Sequence, residues 1–275
     1  MSGTGRLYIV GTPIGNLGDF SPRGRRILDE VDFIAAEDTR VTVKLLNHLG
    51  ISKPMVAYFE HNKKERGITV IDRIKAGENC AIVTDAGMPA ISDPGEDLIR
   101  ECHENGIGVE SVPGPTAFAT ALALSGMPSG RFCFEGFLSV NKPSRKRHLE
   151  EIKNERRTII FYEAPHKLVK TLADMLEVFG DRKIALVREI TKIHETVMRT
   201  SFSQAIEFYS QNEPRGEYVL IIEGAKEENC IYTLDDAVRI AKQFIAEGRS
   251  TSAAAKEAAK ITGVKKSDIY KLILS

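Results

Sequence analysis

The sequence predicts an α/β protein with two α/β domains and a small helical extension at its C-terminal end. Up to about residue 224, short apolar runs alternate with segments of helical length, which is typical of sheets covered by helices. After Gly224 the strand signals stop and helical patterns follow. Because 275 residues suffice for more than one packed unit, we expect domains at residues 1–126 and 127–225 and an extension at 226–275.

The first domain is predicted from strands that end in turn-forming residues and from helices with recognisable ends. Ser21-Pro22 is a cap followed by proline at the first helical position, and Gly50, Gly77 and Gly106 are typical of helix C-termini. The predicted strands are residues 7–10, 32–36, 55–59, 80–83 and 109–112, and the predicted helices end near residues 31, 49, 76, 105 and 125.

The second domain follows Gly126-Met127-Pro128, which we interpret as the joint between the domains. Its predicted strands are residues 132–138, 158–162, 183–187, 194–200 and 218–222, and its predicted helices are residues 144–153, 166–179 and 203–211. The connection between residues 187 and 194 is short, so we expect more antiparallel pairing in this domain.

The extension is predicted to contain a polar linker at residues 226–229 and helices at 234–247, 251–262 and 267–274. Three short helices with a Gly-Val turn before the last are similar to a helix-turn-helix. Its later part is basic: Glu257 and Asp268 are outnumbered by Arg249, Lys256, Lys260, Lys265, Lys266 and Lys271. A helical cap that covers a domain face is an equally good interpretation.

Three loops after predicted strands indicate a ligand cleft. They are residues 11–17, 84–95 and 113–117, and each is rich in small or turn-forming residues that let a backbone approach a ligand closely. Open α/β sheets bind ligands outside the carboxyl ends of their strands. Neither a G-x-G-x-x-G, a G-x-x-x-x-G-K-[ST] nor a G-x-S-x-G motif occurs, which disfavours a standard dinucleotide, Walker-type or nucleophile-elbow site. Without further information, any one of these loops could also be a plain surface connection.

The composition limits the partners and the compartment. Lys plus Arg and Asp plus Glu both number 38, so attraction to a polyanion must come from a local patch such as Lys142, Arg145, Lys146, Arg147 and His148. Cys80, Cys102, Cys133 and Cys230 have no CxxC spacing, and we interpret them as reduced thiols of a cytosolic protein. The sequence has no apolar run of membrane-spanning length and no signal-peptide pattern, and its scattered histidines favour no metal site.

Several segments carry a close resemblance to a known family. They are residues 7–17 with Gly11-Thr12-Pro13-Ile14-Gly15, 35–40 with Glu37-Asp38-Thr39-Arg40, 84–95, 112–116, 132–138 and 161–163. They resemble the bacterial members of the tetrapyrrole methylase superfamily that methylate ribosomal RNA, in register from about residue 7 to 224. The tail is similar to the helical extension of those proteins. The resemblance implies a homodimer of two-domain chains with the cofactor in the cleft between the domains.

The resemblance also implies an activity and its site residues. The activity is methylation by S-adenosylmethionine of a cytidine ribose 2′-hydroxyl in the decoding region of small-subunit (16S) rRNA, within the ribosomal subunit and in the cytoplasm. The residues carried over for the cofactor are Pro13, Ile14, Asp85, Gly87, Met88, Thr116, Ala117, Tyr162 and Ala164. A stiff backbone close to the ligand is the physical reason for glycine and proline at such positions.

A ribose hydroxyl is a poor nucleophile until it loses its proton, so a nearby base would help the transfer. The candidates are Glu37, Asp38 and Glu163 at strand ends, with Arg40 to hold a phosphate or a carboxylate. Each could equally be a structural ion pair or a helix cap. Two other functions stay open: a small-molecule methyltransferase of the tetrapyrrole type, which would not need the basic clusters, and a non-catalytic RNA-binding module, which would not need the cofactor.

Overall fold

The computed structural model describes residues 3–226 and 232–274. The chain divides into two compact units, residues 1–225 and 226–275, and each is described here by itself. Cys230 and residues 227–229 of the predicted linker lie outside the described residues. Among the described helices, none combines the length and apolar character needed to cross a membrane.

In the first unit, the first sheet is fully parallel, with strand order β3-β2-β4-β1-β5. Its central strands β2 and β4 are buried along their whole length, as expected when helices cover both faces of a parallel sheet. The strands are β1 Arg6–Val10, β2 Phe33–Ala36, β3 Met55–Ala57, β4 Cys80–Val83 and β5 Gly108–Val112.

Two of the predicted helix-end signals are found in the structure. The Ser21 side chain accepts a hydrogen bond from Gly24 N at the start of α1, and Gly50 ends α2 with a φ of 69°. Apolar side chains of α1 and α2 cover one face of the sheet, and those of α3 and α4 cover the other. The helices are α1 Pro22–Glu30, α2 Thr39–Leu49, α3 Lys63–Lys75, α4 Glu96–Glu104 and α5 Ala117–Ser125.

The second sheet has the order β6-β7-β10-β8-β9, and only β6 and β7 are parallel among its described strands. This confirms the prediction of more antiparallel pairing. Three helices cover one face through residues such as Leu149, Leu172 and Phe202. The elements are β6 Phe132–Phe137, α6 Lys142–Ile152, β7 Thr158–Glu163, α7 Leu168–Phe179, β8 Lys183–Arg188, β9 Thr196–Ser201, α8 Phe202–Gln211 and β10 Tyr218–Ile222.

Helix α5 connects the two sheets. It follows β5 of the first sheet, yet Ala121 and Leu122 pack against Ile160, Ala185 and Val219 of the second sheet. The helix is apolar on nearly all sides; Ala121, Leu122 and Ser125 are buried, whereas Ala119 and Ala123 are exposed. The loop before α5 therefore lies where the two sheets meet.

In the second unit, three helices pack through alanines that allow close approach. Ala237, Ala241, Ala255, Ala258 and Ile269 form its core. The first helix begins with a capping box between Thr233 and Asp236, and the second ends at Gly263 with a φ of 71°. The helices are α9 Leu234–Ala246, α10 Thr251–Thr262 and α11 Lys266–Leu274.

Candidate active site

A cleft of the first unit lies between the loops of the first sheet and the strand ends of the second. Nine residues singled out from the sequence line it: Ile14, Glu37, Asp85, Gly87, Met88, Thr116, Ala117, Tyr162 and Glu163. Four others, Pro13, Asp38, Arg40 and Ala164, are not among the lining residues, although each is close in sequence to one that is. The loops after β1, β2, β4, β5 and β7 therefore converge on one site.

The loops after β1 and β4 are joined by backbone hydrogen bonds. Thr12 N donates to Gly87 O over 2.9 Å, and Gly87 N donates to Thr12 O over 3.2 Å. Gly87 has a φ of 91°, and a Cβ built there would lie 3.6 Å from Ile14 Cγ2, in ordinary contact. Glycine is therefore favoured here by its positive φ and not by a lack of space, and the absence of a side chain leaves more room in the cleft.

The loops after β1 and β5 touch through two glycines. A Cβ built on Gly11 would come within 2.7 Å of Gly114 Cα, a distance that real side chains do not adopt. Phe118 N, at the start of α5, donates to the Tyr162 hydroxyl over 3.1 Å, which ties the loop after β5 to strand β7 of the second sheet. Burial raises the pKa of Tyr162 to about 12, so its hydroxyl stays protonated at neutral pH.

Two carboxylates hold the ends of β2 and β4 together. Asp85 N donates to Glu37 Oε2 over 3.3 Å, and Asp38 N donates to Asp85 Oδ1 over 3.2 Å. Burial is the main cause that raises the pKa of Glu37 and of Asp85, and the negative charges of neighbouring carboxylates act in the same direction. Both groups line the cleft and are therefore suited to exchange protons or bind cations there.

Asp93 is a cleft residue that the sequence analysis did not single out. It lies within residues 84–95, and burial together with the charges of Glu37, Asp85 and Glu217 raises its pKa to about 7. The sequence Asp93-Pro94-Gly95 indicates a turn, but many turns without a functional role have the same residues. Further lining residues that were not anticipated are Ser92, Phe137, Glu189, Ile190, Lys192 and Glu217.

Asp38 and Arg40 form an ion pair with each other. Arg40 Nη2 lies 2.6 Å from Asp38 Oδ2, and Arg40 N donates to Asp38 Oδ1 over 2.8 Å. Hydrogen bonds from the Arg40 side chain, above all, lower the pKa of Asp38 to about 2. Asp38 therefore caps α2 and is a weak proton acceptor at neutral pH.

Glu163 is buried, and its carboxylate accepts hydrogen bonds from the segment that follows β7 and from α7. Its residue is 3% exposed, Oε1 accepts from Ala164 N over 2.8 Å, and Oε2 accepts from Thr171 Oγ1 over 2.5 Å. Both carboxylate oxygens are thus engaged in joining β7 to α7. These contacts favour a structural role, although part of the residue borders the cleft.

The cleft is acidic. The described residues that line it include Glu37, Asp85, Asp93, Glu163, Glu189 and Glu217, and among those same residues Lys192 alone carries a basic side chain. Lys192 Nζ lies 3.1 Å from Glu189 Oε1, so its charge is partly balanced. Such a cleft attracts a small cation more readily than a phosphate backbone.

The basic run of residues 142–148 on α6 was expected to attract a polyanion, but not all of its side chains are available for this. Arg145 is 5% exposed, and its Nε lies 2.7 Å from Asp174 Oδ2 while Nη1 donates to Ser139 O over 3.0 Å. Its prediction as an RNA contact is wrong, because the side chain is buried in an ion pair. Lys146 pairs with Glu177, and His148 with Glu135, whereas Lys142 and Arg147 lie exposed on the helix.

Comparison with known proteins agrees with this architecture. A family model described as Tetrapyrrole (Corrin/Porphyrin) Methylases matches residues 6–206, and one described as the RsmI C-terminal HTH domain matches residues 234–275. The crystal structure of uroporphyrin-III C-methyl transferase from Thermus thermophilus, complexed with S-adenyl homocysteine, has a TM-score of 0.56 at 18% identity and covers 78% of this chain and 97% of that chain. At that identity the likeness concerns the fold alone.

Curated relatives are much more similar in sequence. Ribosomal RNA small subunit methyltransferase I of Synechocystis sp. is 43% identical over 98% of this chain and 98% of the relative. The protein of the same name from Thermotoga maritima is 47% identical over 220 residues, which are 80% of this chain and 99% of the relative. The chain therefore belongs to the tetrapyrrole methylase family and, within it, to the ribosomal RNA small subunit methyltransferase I group.

Proposed function

We propose that this protein transfers the methyl group of S-adenosylmethionine to the 2′-hydroxyl of a cytidine in the decoding region of small-subunit (16S) rRNA. The observation that supports the chemistry most directly is the cleft at the loop edge, in which Glu37, Asp85 and Asp93 converge. Membership of the group named for methylation of small-subunit rRNA supports the choice of substrate.

The lining residues fit a cofactor that carries a sulfonium and an ammonium group. When bound, S-adenosylmethionine would supply a methyl group: the attacking oxygen would bond to the methyl carbon while the carbon–sulfur bond opposite it breaks, and S-adenosylhomocysteine would leave. Asp85 would face positive charge, and Ile14 and Met88 would contact the apolar parts of the ligand. Gly87 leaves room beside Ile14 that a side chain would occupy. The exposed backbone near Thr116 and Ala117 would bind polar groups, with Pro13 and Ala164 shaping the adjoining turns.

The proton of the 2′-hydroxyl needs an acceptor whose pKa lies near the working pH. Arg40 keeps the pKa of Asp38 far below that range, and both oxygens of Glu163 already accept hydrogen bonds. Asp93 is the best-suited acceptor because its pKa is raised to about 7, and Glu37 is the second candidate. Glu37 also acts on Asp93, since its negative charge contributes to that raised pKa.

We propose that the phosphate backbone of the RNA binds outside the acidic cleft. The exposed side chains of Lys142 and Arg147 on α6 and the basic residues of the C-terminal helices are suited to phosphate contacts. We also propose, from the resemblance to the superfamily, that two copies of the chain form a homodimer. The substrate would be the rRNA within the ribosomal subunit, which places the protein in the cytoplasm.

One experiment separates this function from its alternatives. The purified protein is titrated with S-adenosylmethionine by calorimetry and is then incubated with the cofactor and small ribosomal subunits from cells that lack it. We expect saturable cofactor binding and one new 2′-O-methylated cytidine per subunit. RNA binding without cofactor binding would indicate a non-catalytic module, and cofactor binding without transfer to the subunits would favour a small-molecule substrate.

A further inference from the structure

Strand β6 contains an irregularity that changes which face its last residues occupy. Phe134 pairs with Ile160, but the next pairs are Gly136 with Phe161 and Phe137 with Tyr162, so Glu135 has no partner in the register. An extra residue of this kind is a β-bulge, which is rare between parallel strands and redirects the side chains that follow it. Gly136 has a φ of 64°, a backbone conformation that favours glycine.

The bulge brings Phe137 to the face of the cleft. In a regular strand, residues three positions apart point to opposite faces. Here Phe134 and Phe137 both pack against the ring of Tyr162, with centroid distances of 5.0 and 5.4 Å. The extra residue, Glu135, points elsewhere and lies 2.9 Å from His148 Nε2. Without the bulge, Phe137 would face the side of the sheet that packs against α6 and α7.

Phe137 is presented to the cleft rather than buried in it. It lines the cleft and is 55% exposed, although it is one of the large apolar side chains of the chain. A Cβ built on Gly136 would lie 3.2 Å from Ser92 Oγ, so the bulge is close to the loop after β4. β-Bulges are frequent next to active sites, where they redirect a side chain, so an aromatic ring that a bulge turns into the cleft points to a ligand for its face.

Hydrogen-bond acceptors share the cleft with this ring. Glu217 offers carboxylate oxygens, and Ser92 offers a hydroxyl. An aromatic face combined with acceptors suits a nucleobase that has been turned out of its stack and carries an exocyclic amino group, as cytosine does. The residues assigned above to the cofactor come from the loops after β1, β4, β5 and β7, whereas Phe137 comes from β6 and Glu217 from the segment before β10.

We propose that Phe137 is the platform on which the base of the target nucleotide stacks during methyl transfer. This inference rests on the proposed function and identifies the part of the cleft that holds the substrate. Phe137 thereby positions the ribose, and its loss would weaken the use of RNA while leaving the cofactor in place.

The test compares Phe137→Ala, Phe137→Leu, Phe137→Tyr and Phe137→Trp. We expect the alanine and leucine variants to lose about 5- to 150-fold in kcat/KM for small ribosomal subunits, the range that lost base–aromatic stacking produces. Tyrosine and tryptophan should restore most of it, and the Kd for S-adenosylmethionine should stay within about twofold in all four. Phe132→Ala is the matched control, because Phe132 lies on the same strand, is 39% exposed and does not line the cleft.

The tryptophan variant adds a direct readout, since the chain contains no tryptophan of its own. An RNA oligonucleotide that spans the target cytidine is added until anisotropy shows that it is bound. Tryptophan fluorescence should be quenched, and an oligonucleotide that is abasic at the target position should quench it far less. Equal quenching by both, a leucine variant as active as wild type, or a loss confined to cofactor affinity would overturn the inference. Wild-type protein that transfers no methyl group to the subunits would instead count against the proposed function.

Discussion

The acidic side chains around the cleft have distinct environments although they are close together. Asp38 is held in its charged form by Arg40, whereas burial and neighbouring charges hold back the ionisation of Glu37 and Asp93. Single residues therefore differ in the chemistry available to them at neutral pH. Proximity in sequence, as between Glu37 and Asp38, does not predict a shared role.

The proposed base leads to a prediction on rate. Asp93→Asn should lower single-turnover methyl transfer by about 10²- to 10⁴-fold, because the amide cannot take up the 2′-hydroxyl proton. In the wild type, kcat/KM should rise with pH through about 7 as Asp93 loses its proton. Glu37→Gln removes a negative neighbour, so the same profile should move to lower pH with the rate largely kept. Full activity of Asp93→Asn would exclude Asp93, and a large loss only in Glu37→Gln would transfer the role to Glu37.

The same residue leads to a prediction on stability. The pKa of Asp93 is about 7 in the folded protein, against an ordinary value near 3.8, so the folded state binds a proton that the unfolded chain has already released. The contribution of this group is therefore fully present below about pH 4 and is lost as the pH rises through about 7. Thermal unfolding should show Asp93→Asn gaining stability relative to wild type between pH 5 and pH 8. An unchanged difference across that range would contradict the raised pKa.

Gly87 tests the cofactor wall with a matched control at Gly50. Both residues have positive φ, 91° and 69°, and an added Cβ would clash at neither, so alanine should cost each about 1 kcal/mol of stability through backbone strain. Only Gly87 borders the cleft, and Gly50 ends α2. Calorimetry should show weaker S-adenosylmethionine binding for Gly87→Ala alone. Equal cofactor affinity in the two variants would remove the loop after β4 from the cofactor site.

Among the structural elements, helix α6 carries both a buried arginine, Arg145, and the exposed basic residues Lys142 and Arg147. Arg145→Ala would leave Asp174 without its partner and should destabilise the protein by about 3 kcal/mol, in denaturant unfolding, without changing the salt dependence of RNA binding. The double variant Lys142→Ala and Arg147→Ala should keep stability and lower the slope of log affinity against log salt. A slope that falls in Arg145→Ala but not in the double variant would reverse this assignment.

The helices and strands could be predicted almost completely because their ends carry local signals. The observed boundaries differ from the predicted ones by a few residues. Helix α6 begins at Lys142 because the Asn141 side chain caps it by accepting a hydrogen bond from Ser144 N. Helix α7 is preceded by a short 3-10 turn at Pro165–Lys167. The strand expected at residues 194–200 is Thr196–Ser201.

Long-range partners could not be predicted in the same way. The burial of Arg145 depends on Asp174, which lies on another helix. The packing of α5 on the second sheet could not be predicted, because α5 is apolar on nearly all sides and its sequence does not show which side faces that sheet. The bulge at Glu135 is recognisable only once β6 and β7 are paired. In the cleft, the loops with glycine and proline were recognisable, but Asp93 and Phe137 acquire their properties from residues distant in sequence.

At the scale of the whole molecule, the first unit contains every residue assigned to the cleft. The Thermotoga maritima relative matches over 220 of the 275 residues and is itself covered to 99%, so about 55 residues of this chain have no counterpart in that relative. The second unit, residues 226–275, is of that size. Its exposed basic residues suit a contribution to RNA affinity rather than to the chemical step.

If this protein methylates a ribose of small-subunit rRNA in cells, the methylation pattern of that rRNA must depend on it. Ribose methylation is mapped across the small-subunit rRNA of cells with the gene, without it, and without it but supplied with the wild-type or the Asp93→Asn protein. We expect a single 2′-O-methylated cytidine in the decoding region to disappear with the gene, to return with the wild-type protein and to stay absent or strongly reduced with the variant. An identical methylation map in cells with and without the gene would contradict the account.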